Sequence, residues 1–300
     1  MAVYKRTYKP YSGELTANWT RFAILPRYSL AKIFDSKIMI GLLLVSLLPF
    51  LVAATIIYLS HNPIARTLIG MRGESSLIGI DNRFFFQLLT IQGSLAFLIT
   101  AWIGPGLVSP DLTNNALPLY LCRPFSRVEY VLGKMSVLFF LLSLITWVPD
   151  LLLYGLQAEL EGNGWFTANL SIAYAIFVGS LLWITVQSLL ALALSAWVKW
   201  RIAASGLMFA IFFVAAGFGE VFNQVLRTYW GHTTNLGYLI NEVWADLFGV
   251  PFGVDVSRRR IGDPRTLSVP LGVAWAVLLG VCVVCLLLLN RRLRAREVVR

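Results

Sequence analysis

The chain has 300 residues, of which 58% are hydrophobic and only 13% charged, about half the charged share of a soluble domain. Its net charge of +10 gathers at the ends of apolar runs, which suits phospholipid head groups and membrane topology and argues against nucleic acid as a partner. Three cysteines give no even-numbered disulfide framework. A first apolar run beginning near Ile38 is too deep and too long for a cleaved signal peptide.

Residues 1–20 are polar and basic, with Tyr4, Tyr8, Tyr11 and Trp19 among Lys5, Arg6 and Lys9, and read as a tail that orders on contact. From Pro26 to Ile38 the pattern becomes amphipathic. Leu30, Ala31, Ile33, Phe34 and Ile38 share one side of a helical wheel, with Ser29, Lys32, Asp35 and Ser36 opposite. Such a helix lies in the head-group plane, so residues 1–37 form a tail and an interfacial helix.

Spans follow as the gaps between charges, because a helix needs about 20 apolar residues to cross a bilayer. Ile38–Ser60 is the first, with Pro49 as a mid-membrane kink. Phe84–Pro110 is the second, its helix ending at Gly104-Pro105-Gly106. Met135–Gln157 is the third and holds one acid, Asp150, near its outer end and within reach of water or a head group. Asn169–Ala196, Ile202–Gly219 and Thr266–Asn290 complete a set of six. The fold class is therefore an all-α polytopic membrane protein, with a transmembrane domain over 38–290 and a basic tail over 291–300.

Lys and Arg set the orientation. Seven precede Ile38, three lie in 109–134, two are Lys199 and Arg201, and five follow Asn290, leaving eight for the other loops. The bias places both termini inside. Arg258, Arg259, Arg260 and Arg265 oppose it, but they sit in a long outer loop, 221–268, where the rule weakens. Within that loop Leu236, Leu239, Ile240, Val243 and Leu247 recur at helical spacing. They predict a helix on the outer surface, or one dipping in beside Phe248–Phe252.

Two stripes of small residues, Gln187/Ala191/Ser195 and Gly272/Ala276/Gly280, are spaced for close helix approach and read as bundle packing, with a dimer seam as the alternative. Trp197, Lys199, Trp200 and Arg201 form an interfacial anchor. Asp150, as an intramembrane acid, and Glu220, at the mouth of the outer loop, are candidate pathway or gate residues. No GxxxxGK[ST] loop occurs, since Gly133-Lys134 lacks the upstream Gly and the following Ser or Thr. His61 and His232 fall in outer loops, and Cys282-x-x-Cys285 lies within the last span, so neither suggests a metal or haem site.

The remaining stretch, Ser109 to Lys134, is a polar island between apolar segments. Ser109-Pro110-Asp111 reads as a helix start, Pro118 as its interruption, and Ser126 with Glu129 as the capping box of the next helix. The run Leu119-Tyr120-Leu121-x-Arg123-Pro124-x-Ser126-Arg127-x-x-Tyr130-x-x-Gly133-Lys134 resembles the ABC type 2 permeases, the membrane subunits of ATP-driven exporters. It departs from them at Leu112–Ala116, where a more basic run containing Gly and Thr is the pattern.

The resemblance implies a non-catalytic transport subunit in the bacterial inner (plasma) membrane, paired with a second permease copy or paralogue and with two ABC ATPase subunits. It implies no cofactor of its own, ATP and Mg being bound by the partner. Asp111, Leu112, Leu117, Tyr120, Arg123, Arg127 and Glu129 would form the coupling surface, Arg27, Lys32 and Phe34 would serve the interfacial helix, and the outer loop would form a gate. The alternatives are an ion-coupled secondary transporter, expected to show several intramembrane acids or broken helices in matching halves, and a polytopic lipid-modifying enzyme, expected to show a polar cluster at one face.

Overall fold

A computed structural model describes residues 24–62, 79–114, 127–162, 164–251 and 269–292, and among these the ordered structure is helical, without strands. Six helical segments are long and apolar enough to cross a membrane: Lys37–His61, Asn82–Thr113, Arg127–Glu161, Leu170–Trp197, Arg201–Leu226 and Leu271–Arg292. They are numbered here as spans one to six. The chain is a multi-pass all-α membrane protein, with each expected span in place.

Proline explains the breaks. Span one divides into Lys37–Ser46 and Leu48–His61, because Pro49 in the first turn of the second piece cannot donate to the turn before it. Ser46 reaches back to the carbonyls of Leu42 and Leu43, 2.9 Å each. Span two divides at Gly104 into Asn82–Ile103 and Pro105–Thr113. Span three divides at 144–146 into Arg127–Ser143 and Trp147–Glu161, with Pro149 just past the break. Span five contains a π-helical turn, Ala210–Val214. Only spans four and six run as unbroken α-helices.

Span four is the pillar. It is 28 residues long and 72% of its most apolar window is buried, against 22% for spans one, five and six, which therefore present wide apolar faces to lipid. Spans two, three, five and six all pack on it. The stripe Gln187/Ala191/Ser195 is buried against span two, so this motif is bundle packing. The equivalent stripe in span six is not: Gly272, Ala276 and Gly280 all face outward, with nothing near the first or last. The expectation that both stripes pack within the bundle is corrected for span six.

The bundle has two chemically distinct ends. At one lie Lys37, Arg127, Lys134, Lys199, Arg201, Arg291 and Arg292, hereafter the basic end. At the other, His61 of span one bonds Glu161 of span three at 2.9 Å, and Asn82 donates to the carbonyl of Phe248 at 2.7 Å. The helix expected in the long loop, Leu236–Leu247, does not lie flat there. It inserts Leu239, Ile240, Val243 and Trp244, all essentially buried, among spans two, four and six.

Candidate coupling site and cargo cleft

The helix expected to open the polar island begins one turn earlier than expected. Ser109 is not a helix cap, and the helix that was to start there starts at Pro105 and ends at Thr113. Pro105 already fills the first helical position, where its missing N–H costs nothing. Ser109 and Asp111 consequently sit in the second half of that helix, and Asp111 lies near a C-terminus, where the helix dipole disfavours an acid. Its compensation comes from span three: Lys134 Nζ is 2.9 Å from Asp111 Oδ2, and the Tyr130 hydroxyl donates to the same oxygen at 2.8 Å. Lys134 is 6% exposed and Tyr130 1%, so this is a desolvated clamp joining the ends that flank residues 115–126.

The break in span two is held from two sides. Pro105 cannot donate to the carbonyl of Ala101, and the Ser205 hydroxyl of span five does so instead, at 2.8 Å. Arg201 donates to the carbonyl of Trp102 at 2.9 Å and lies over the Trp102 ring. From span four, Ser195 Oγ accepts from the N–H groups of Val108 and Ser109 at 3.1 and 2.9 Å and donates to the carbonyl of Pro105 at 2.7 Å. The Ser109 hydroxyl donates to the carbonyl of Lys199. Every group freed by this interruption that these bonds reach is satisfied inside protein, as hydrocarbon requires. Gly104 is obligatory, since an added Cβ would lie 2.5 Å from that of Ala191.

Leu112 packs half-buried on the core. Arg127 is exposed and Glu129 half-buried in the first turn of span three, where an acid favours the helix dipole. Leu117, Tyr120 and Arg123, with Pro118 and Ser126, lie outside the described residues. The helix expected in the head-group plane runs Ile24–Phe34 and packs against the first half of span three, with Leu25, Leu30 and Ile33 half-buried against the core. Arg27, Lys32 and Phe34 are exposed, so Phe34 leaves the apolar face to which the wheel assigned it.

Asp150 differs most from expectation. It reaches neither water nor a head group: it is 0% exposed, and Gln92 Nε2 of span two donates to its Oδ1 at 2.8 Å. The helix restarting beside Pro149 turns this carboxyl into the bundle. Asp150 Oδ2 and Gln92 Oε1 have no hydrogen-bond partner among the described residues. A second polar pair, Thr100 donating to Gln187 Oε1 at 3.0 Å, crosses from span two to span four. Glu220 is exposed near the end of span five and lines neither of the two cavities described below.

Sequence reasoning missed a cleft of about 460 Å³ walled by spans two, four and five and by Leu236–Leu247. Its apolar wall is aromatic: Phe97 and Phe212 approach to 4.6 Å between centroids, Trp183 and Phe212 to 5.6 Å. The π-turn, a feature that recurs at functional sites, carries Phe212 and Phe213 into this wall. Its polar rim is uncharged, formed by Thr90, Ser94, Asn235 and Asn241. Two tryptophans fix the back: Trp183 Nε1 donates to the carbonyl of Gly93 at 3.0 Å and Trp244 Nε1 to that of Gly179 at 2.9 Å. Beside the cleft, burial and the adjacent Glu242 carboxylate push the Tyr238 phenol up to about 12. No model of a known protein family matches this chain, and no curated protein is significantly similar to it.

Proposed function

We propose that this chain is the permease subunit of an ATP-driven ABC exporter, gripped by a separate ATPase at the segment between spans two and three. The basic end would face the cytoplasm of a bacterium, as the positive-inside rule favours, and a second permease copy or paralogue would complete the transporter. One observation carries the reading. The Asp111–Lys134–Tyr130 clamp makes the two helix ends flanking residues 115–126 a single body, and span two runs from that clamp through the Gly104 break to the aromatic wall of the cleft. A push on the segment is thereby delivered to span two, whose break is held by Ser195, Arg201 and Ser205. The aromatic wall and neutral rim suit an amphiphilic cargo without net charge at the bound group.

The test is co-purification with an ABC ATPase encoded beside this chain, followed by ATP hydrolysis in proteoliposomes. Association is expected, and Arg123→Glu with Arg127→Glu is expected to reduce it at least tenfold. Unchanged association and transport in that variant would remove the coupling assignment, and turnover of a lipid or nucleotide by the isolated chain would remove the permease reading.

The buried Asp150–Gln92 pair favours a second reading, an ion-coupled secondary transporter. Against it, the proline breaks fall in spans one, two and three and have no counterparts in spans four and six, so the halves do not match as inverted repeats would. Uptake driven by a pH or sodium gradient without nucleotide would decide for it.

A further inference from the structure

A second cavity opens sideways between spans four, five and six. It is a groove of about 540 Å³ whose lining is apolar throughout, including Ala193, Trp197, Ile211, Gly280 and Leu288. Along span six it extends from Val277 to Leu288, eleven positions and therefore about 16 Å of helix. That is about half of a hydrocarbon core roughly 30 Å thick, so the groove is one leaflet deep. It ends at the basic end. There Arg292 lies over the Trp197 ring, 5.7 Å from its centroid, with Nε 3.3 Å from the carbonyl of Ala196. Arg291 and Lys199, one and two positions in the chain from Arg292 and Trp197, are exposed, and the described ion pairs, Asp111–Lys134 and His61–Glu161, use none of these three cations.

We propose that this groove is a binding site for one anionic phospholipid, an acyl chain lying between spans four, five and six and the phosphate held by Arg292, Arg291 and Lys199. The two halves of the site match the two halves of such a molecule. Depth selects an acyl chain over a spanning helix, and apolar walls exclude a polar ligand from the interior. Cations at the helix ends select a negative head group, and Trp197, which lines the groove beneath Arg292, sits at the depth where indoles settle. A second copy is the poorer occupant, because a two-fold contact here would set Arg291, Arg292 and Lys199 of one copy against the same residues of the other. The site does not depend on the transport reading, since an anionic lipid would seat whether or not an ATPase drives the protein.

The experiment uses the full chain in mixed micelles with equal amounts of palmitoyl-oleoyl phosphatidylglycerol and phosphatidylcholine, read by native mass spectrometry. One phosphatidylglycerol per chain is expected to survive, several-fold in excess of phosphatidylcholine. Gly280→Leu fills the groove; nothing lies within 4 Å of an added Cβ there, and the change favours helix, so the fold persists. It is expected to lose the retained lipid. Arg291→Gln with Arg292→Gln is expected to keep a lipid and bring the ratio of the two lipids toward one. Equal retention by wild type and Gly280→Leu would overturn the site, as would an unchanged ratio in the arginine variant. A dimer dissociated by Gly280→Leu with its lipid kept would overturn it in favour of a second copy.

Discussion

Asp111 and Lys134 are 23 positions apart and meet in a place where water does not reach one of them. Removing the lysine leaves the Asp111 carboxylate, 17% exposed, with Tyr130 alone on that oxygen, a change costing less than the about 3–5 kcal/mol of a fully buried pair. Lys134→Met is therefore expected to lower the midpoint of an SDS unfolding titration, whereas Asp111→Asn with Lys134→Met recovers most of the loss. A double variant as unstable as the single one would mean that Lys134 acts by its stem and not its charge. The sequence pointed to Asp111 but gave Lys134 no pairing role, because nothing local to Gly133-Lys134 shows which partner lies across the gap between spans. Gln92 went unnoticed for the same reason: an isolated amide in a long apolar run carries no periodic signal, and only its hydrogen bond to Asp150 sets it apart from Gln87 in the same run. Ser195 and Ser205 were invisible as hinge residues because the groups they satisfy belong to Pro105 and its neighbours in another helix.

Among the elements, Leu236–Leu247 was legible as an amphipathic helix from its spacing, yet the spacing could not decide between lying flat and inserting. Glycines decide it. A Cβ on Gly179 would stand 2.8 Å from Trp244 Cδ1, and one on Gly93 would stand 2.6 Å from Trp244 Cη2, so the indole occupies space that two neighbouring spans leave empty. Gly179→Leu is expected to expel the wedge, with an overpacking cost of about 1–3 kcal/mol, and to raise the labelling rate of a cysteine introduced at Val243. Unchanged labelling would show that the helix is held without the indole. The same helix carries a pH signature. Between pH 10 and about 12 the unfolded chain gives up the Tyr238 proton while the folded chain keeps it, so the contribution of Tyr238 to stability falls as pH rises through that window and is constant below it. Thermal unfolding from pH 9 to 12 is expected to show this decline in the wild type and to show it flattened in Tyr238→Phe.

At the scale of the molecule, charge gaps and hydropathy located six crossings because the requirement for about 20 apolar residues is imposed by the bilayer and not by neighbours. The arrangement of those crossings was not legible on the same basis. Gln187/Ala191/Ser195 and Gly272/Ala276/Gly280 have identical spacing; one is sealed against span two and the other faces lipid, since a small residue permits close approach without naming what approaches. The lateral cleft and the groove likewise belong to surfaces assembled from three or four separate spans.

The pairing of Asp150 with Gln92 also bears on how the protein is made. Synthesis delivers Asn82–Thr113 before Arg127–Glu161, so the amide is already in the bilayer when the carboxyl leaves the ribosome. A lone acid at the centre of a span opposes insertion by about 2.5–3.5 kcal/mol, and one nearer the outer end, as here, by less. A partner waiting on the preceding hairpin arm lessens that barrier, and spans two and three can settle as a pair before the pillar that will enclose them has been translated.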